Sequence, residues 1–184
     1  MTASVIAKET RGAEVGTYDP VKWGDFQMLS RAKTLGPNVP VLTAFGATMF
    51  AYKFAVGDIL YLVDGQIDHD WDFSPIRPHM HFSSDNGGTG NIVWEMIYSY
   101  RTVFGTWSAD VTDSITWSGT LAAGAGSVAD FWTGDGDVIT SPTPSLLMRA
   151  RIKLVSKTFA GNVFLDGWDC HYRKNRSGTD SEFI

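Results

Sequence analysis

Two short segments of this chain alternate strictly between polar and apolar residues, and each carries histidine on its polar side. One is Pro78-His79-Met80-His81-Phe82, and the other closes on Trp168-Asp169-Cys170-His171-Tyr172. Successive side chains of a strand point to opposite faces, so His79 and His81 project together while Pro78, Met80 and Phe82 project the other way. Asp169 and His171 likewise share a face, opposite Phe164, Trp168, Cys170 and Tyr172. Three of the four histidines (His69, His79 and His81) fall within thirteen residues, and His171 is the fourth. Two histidine-bearing strands with apolar reverse sides either build a site or form polar faces of a sandwich.

The rest of the chain supports a β reading. Residues 1–22 show no sustained period and are expected to form an extended N-terminal arm. The spacing of Trp23, Phe26 and Leu29 predicts a turn or two of helix, which Gly36-Pro37-Asn38 ends. Val39 to Phe45 reads as an edge strand because Pro40 cannot donate to a ladder. Strands follow over 49–54 and 59–63, with turns at Ala55-Val56-Gly57-Asp58 and Asp64-Gly65. Residues 66–75 read as a loop, and 76–83 as the histidine strand. The cluster Ser84 to Gly90 predicts a hairpin turn into 91–101, where Ile92, Trp94, Met96 and Tyr98 share one face. Residues 102–145, rich in Ser, Thr, Gly, Ala and Asp, read as an exposed loop insertion with short strands at 114–117 and 127–132. Over 146–155, Leu146, Met148, Ala150, Ile152 and Leu154 alternate with Arg149, Arg151 and Lys153. The last strand runs to Tyr172 and a polar tail follows. About eight strands, regular turn signals and no long helical pattern predict an all-β, jelly-roll-like β-sandwich, a single domain over 23–184.

Composition narrows the function classes. With 184 residues, 43% of them hydrophobic, the chain is long enough to bury a core. A net charge of −5 provides no electrostatic footprint for nucleic acid or an anionic membrane. One cysteine, Cys170, excludes an intramolecular disulfide and a Cys-rich zinc site, and its alternation onto an apolar face predicts a buried, inert thiol. No apolar run approaches the length of a membrane-spanning helix, and the first residues lack the apolar core of a secretion signal. Synthesis in a cytoplasm without an export signal of its own is the expectation.

Several chemistries compete for the polar residues. His79, His81, Asp169 and His171 offer three imidazoles and a carboxylate, a ligand set suited to zinc or iron in a cupin-like enzyme. Such a site needs the polar face inside a barrel, whereas Met80, Phe82, Trp168 and Tyr172 mark the other face as core. That turns the histidines outward or into a subunit contact, and no resident metal or cofactor is expected. Asp135 and Asp137 lie in a turn without the twelve-residue loop of a calcium site. Asp68, Asp70, Asp72 and Glu95 could furnish a glycosidase pair, but nothing in the sequence sets their separation. No nucleophile elbow or phosphate loop occurs, and no enzyme is expected. Trp107, Trp117 and Trp132, in the loop-like stretch, are the candidates for stacking on a partner or a sugar.

The ordered set His69-Asp70-Trp71, Pro78-His79-Met80-His81, Val93-Trp94-Glu95-Met96-Ile97-Tyr98, Asp169-Cys170-His171-Tyr172 and Gly178-Thr179 resembles small β-rich virion structural proteins of tailed bacteriophages and prophages. Asn175 stands where that pattern carries an acid. The resemblance implies a non-enzymatic virion component, first a capsid decoration or cement protein, expected as a homotrimer bound to the major capsid protein or other virion proteins. The alternatives are a tail or fibre component binding a host surface glycan, and the cupin-like metal-dependent enzyme.

Overall fold

The computed structural model describes residues 23–27, 30–31, 38–67, 69–131 and 146–174. Among these, all regular structure is extended. The strands are β1 (Trp23–Gln27), β2 (Ser30–Arg31), β3 (Val41–Phe45), β4 (Met49–Phe54), β5 (Ile59–Leu62), β6 (Gly65–Ile67), β7 (Arg77–Ser83), β8 (Gly88–Thr102), β9 (Val111–Leu121), β10 (Gly126–Asp130), β11 (Leu146–Lys157) and β12 (Val163–Arg173).

They form two antiparallel sheets. The first runs β10-β7-β12-β4-β3, with β1 also paired to β12; the second runs β2-β5-β11-β8-β9, with β6 also paired to β11. The long strands β11 and β12 each serve two short partners along one edge. β12 meets β4 through residues 163–165 and β1 through residues 169–173. Apart from the consecutive pairs β3–β4 and β8–β9, neighbours within each sheet come from distant parts of the sequence. Orders β4-β12-β7-β10 and β5-β11-β8-β9 are the two four-stranded sheets of a jelly roll. The all-β sandwich expected from alternation is therefore the fold.

The inward faces supply the core. Met80, Phe82, Trp168, Cys170 and Tyr172 from the first sheet are buried with Ile92, Trp94, Met96, Met148, Ile152 and Leu154 from the second. Each of the larger side chains contributes about 1.5–3 kcal/mol by leaving water. Phe82 and Phe54 reach across to Trp94, with ring centroids 6.1 and 5.2 Å apart. The alternation of 146–155 survives intact as β11, and that of 91–101 as β8.

Three local expectations are corrected. Trp23–Gln27 is a strand, because it pairs residue for residue with 169–173 of β12 along its whole length. The predicted hairpin of 76–101 is not one: β7 and β8 lie in different sheets, and residues 84–87 turn the corner between them. Turn chemistry marks where the chain bends but does not choose the strand's partner. Gly87, at φ 66°, packs so closely at this corner that a Cβ would sit 2.7 Å from the Leu121 carbonyl oxygen. Third, within the expected loop insertion 102–145 the short strand read at 114–117 is the eleven-residue β9, while β10 lies at the strand read over 127–132. β9 is an edge strand whose outward residues, Thr112, Ser114, Thr116, Ser118 and Thr120, are all exposed. A wet strand face has the composition of a loop. The expected arm, Asp68 and residues 132–145 and 175–184 lie outside the described residues.

Candidate functional site

The histidines lie on the outer face of the first sheet. Met80 and Phe82 occupy the core side of β7, and Trp168, Cys170 and Tyr172 the core side of β12, so the residues between them face away. A cupin-like site inside the sandwich is thus not formed by these side chains. The apolar partners Met80, Phe82, Trp168 and Tyr172 argue for the same orientation.

Register then gathers the polar residues. Asp169 of β12 lies opposite His79 of β7, and Asp130 of β10 lies opposite His79 on the other side. His171 lies between Arg77 of β7 and Asp25 of β1. His79 Nε2 stands 2.5 Å from Asp169 Oδ1, and His81 Nε2 stands 3.8 Å from the same oxygen. The His79 ring meets those of His171 and His81 at centroid distances of 4.3 and 5.0 Å. One ligand-capable atom from each of His79, Asp169 and His171 lies within 4.8 Å of the other two. His171 Nε2 approaches Asp25 Oδ1 at 3.1 Å.

His79 is buried among these neighbours, while His81 is 46% exposed at its side chain. Burial holds the His79 imidazole below its ordinary value, against the pull of the Asp169 carboxylate; His171 and His81 push in the same direction as burial. Asp169 Oδ1 is itself buried, yet the close His79 contact lacks hydrogen-bond alignment and the oxygen accepts no hydrogen bond among the described residues. A buried carboxylate oxygen left in that state is costly.

The other candidates are dispersed. His69 sits 3.2 Å from the Gln66 amide, beyond β6. Asp70 pairs with Lys174 at 3.1 Å, Asp72 with Arg173 at 3.4 Å, and Glu95 with Lys153 at 3.6 Å, so each carboxylate is engaged with its own cation. Trp117 donates to Ser127 Oγ at 2.9 Å and packs edge-on against Phe82 and Phe159, which makes it part of the wall of the core. Trp107 carries the Arg149 guanidinium over its ring at 4.4 Å and that of Arg101 at 5.3 Å. Trp132, Asp135 and Asp137 lie outside the described residues.

A groove of about 550 Å³ on the second sheet is lined by Tyr61, Asp64, Ser99, Asp110, Arg149 and Arg151. There Arg149 donates to Ser99 Oγ at 2.7 Å, and Arg151 pairs through Nη2 with Asp110 at 3.3 Å. Asp25 and Asp130 were not legible as members of the histidine cluster. Each sits in a strand whose partner is far away in sequence, and only the register brings it there.

No family model and no curated protein matches the chain. Among solved structures it is similar to a chain in "Structure of infectious bursal disease virus Gx strain", at 16% identity and a TM-score of 0.39. The match covers 89% of this chain and 34% of that one, so this chain spans about a third of its length.

Proposed function

We propose that this chain is a non-enzymatic structural protein of a bacteriophage virion, a decoration protein that binds the major capsid protein as a homotrimer and stabilises the head. The observation that carries the reading is the β3–β4 hairpin. Beyond Tyr52, β4 loses its pairing to β12 and is held by β3 alone, so the hairpin projects from the sheet. Val41 and Met49 on one face, and Leu42 and Phe50 on the other, are 64%, 66%, 56% and 70% exposed. Large apolar side chains on both faces of a projecting edge hairpin stand in water at a cost, and a neighbouring subunit removes it. An assembly that spreads modest contacts over many subunits suits such a surface.

The ordered motif resemblance supports the same reading, and so does the dispersal of the carboxylates into separate ion pairs. Trp107, beneath Arg149, does not favour the glycan-binding alternative.

Electron microscopy of purified virions labelled with antibody against this chain tests the proposal. Label over the heads is expected, at a fixed number per head. Heads lacking the chain are expected to melt at lower temperature and to recover when it is added back. Label confined to the tail, or absent from the particle, overturns the reading.

A further inference from the structure

We propose that His79, Asp169 and His171 form a binding site for a divalent transition metal of the zinc class on the outer face of the first sheet. The site is independent of the virion reading and rests on three observations. First, β7 and β12 are both embedded between paired strands, so their backbones hold the ligands without a loop. Preorganisation of this kind is what a tight site needs. Second, the ligand atoms already lie within 4.8 Å of one another. Bonds of about 2.0–2.1 Å to a tetrahedral zinc place ligand atoms roughly 3.3 Å apart. Rotation of the half-exposed His171 ring closes that difference, while His79 and Asp169 open slightly from their 2.5 Å approach.

Third, Asp169 Oδ1 is buried and accepts no hydrogen bond among the described residues, although an imidazole nitrogen stands beside it. An oxygen and a nitrogen facing one another without a well-aligned proton between them are what a cation would satisfy. The donor set chooses the metal: two imidazoles and one carboxylate suit zinc and its neighbours better than calcium or magnesium, which take oxygen.

The surroundings fit a structural rather than a buried catalytic centre. His81, 3.8 Å from the same oxygen, is the nearest candidate for a fourth ligand. Asp25 meets His171 Nε2 from β1, the carboxylate–histidine arrangement that fixes a ligand ring. Bound metal would therefore fasten three strands together, including β1, whose described part is only five residues long.

The test uses the full chain, without a histidine tag, stripped with a chelator and titrated with zinc alone in a calorimeter. One zinc per chain is expected, with a rise in melting temperature on binding. Binding is expected to weaken at least tenfold in Asp169→Asn, which preserves shape, and in His171→Ala, while His69→Ala binds as the parent does. Cobalt in place of zinc is expected to give visible ligand-field absorption that Asp169→Asn abolishes. Should His171→Ala fail to fold, the Asp169→Asn titration and the cobalt spectrum still decide. No saturable binding, or binding equal in the parent and Asp169→Asn, overturns the site.

Discussion

Trp94 of β8 meets Phe54 of β4 edge-on, with ring centroids 5.2 Å apart, and so joins the two sheets at the centre of the sandwich. Its indole Nε1 is buried without a hydrogen-bond partner among the described residues. Removing the ring leaves a cavity, so Trp94→Ala is expected to cost about 3–5 kcal/mol. Trp94→Phe loses volume but also removes the unpaired N–H, and it is expected to cost well under half as much. Urea unfolding monitored by circular dichroism compares the two.

Cys170 is fully buried on the core side of β12, where burial, with the Asp169 carboxylate adding to it, pushes its thiol well above the ordinary 9.0. A thiol-specific reagent is expected to find no reactive group in the folded protein and one per chain in denaturant. The same shift makes a linkage prediction. Below pH 9.0 the thiol is protonated in both states and contributes no slope. Above it the unfolded chain ionises while the folded chain does not, so stability falls by about 1.4 kcal/mol per pH unit. Cys170→Ala is expected to remove that part of the alkaline slope.

Gly90 and Gly46 separate two reasons for glycine. At Gly90, φ is 140° and a Cβ would lie 2.6 Å from the Phe159 backbone nitrogen; at Gly46, φ is 68° and the space is open. Gly46→Ala meets only the backbone penalty, about 1–2 kcal/mol. Gly90→Ala adds a clash with main chain that cannot rotate away, and it is expected to cost more than Gly46→Ala. Thermal unfolding of both variants checks the order.

Phe50 and Leu42 lie on the hairpin surface, outside the core. Phe50→Asp combined with Leu42→Thr is expected to change unfolding free energy by less than about 1 kcal/mol, two surface substitutions' worth. The same variant is expected to shift the chain toward monomer in sedimentation velocity and to lose head binding. Unchanged association would remove the hairpin from the interface.

Alternation was legible wherever one face of a strand is dry. The inward sets Met80 and Phe82, Ile92 to Tyr98, and Leu146 to Leu154 could be read directly, because a period of two leaves no other way to bury them. It also favoured an outward face for the histidines, since the apolar side of the same strands argued for the core. Where both faces or one edge stay wet the signal fades, and only 114–117 of β9 read as strand although eleven of its residues are paired with β8.

The sequence by itself determined that the chain is all-β, that its strands are two-faced, and which residues of β8 and β11 turn inward; in β12 a bulge between Leu165 and Gly167 puts Phe164 on the face opposite Trp168, against the alternation. Only the tertiary structure decided the partners. It sent β7 and β8 to different sheets, made a strand of Trp23–Gln27, and set Asp25 and Asp169 beside His171 and His79. The physical reason is that alternation is a property of one strand and its solvent boundary. Pairing is settled by hydrogen bonds and packing between segments far apart in sequence, and the histidine cluster exists only in that register.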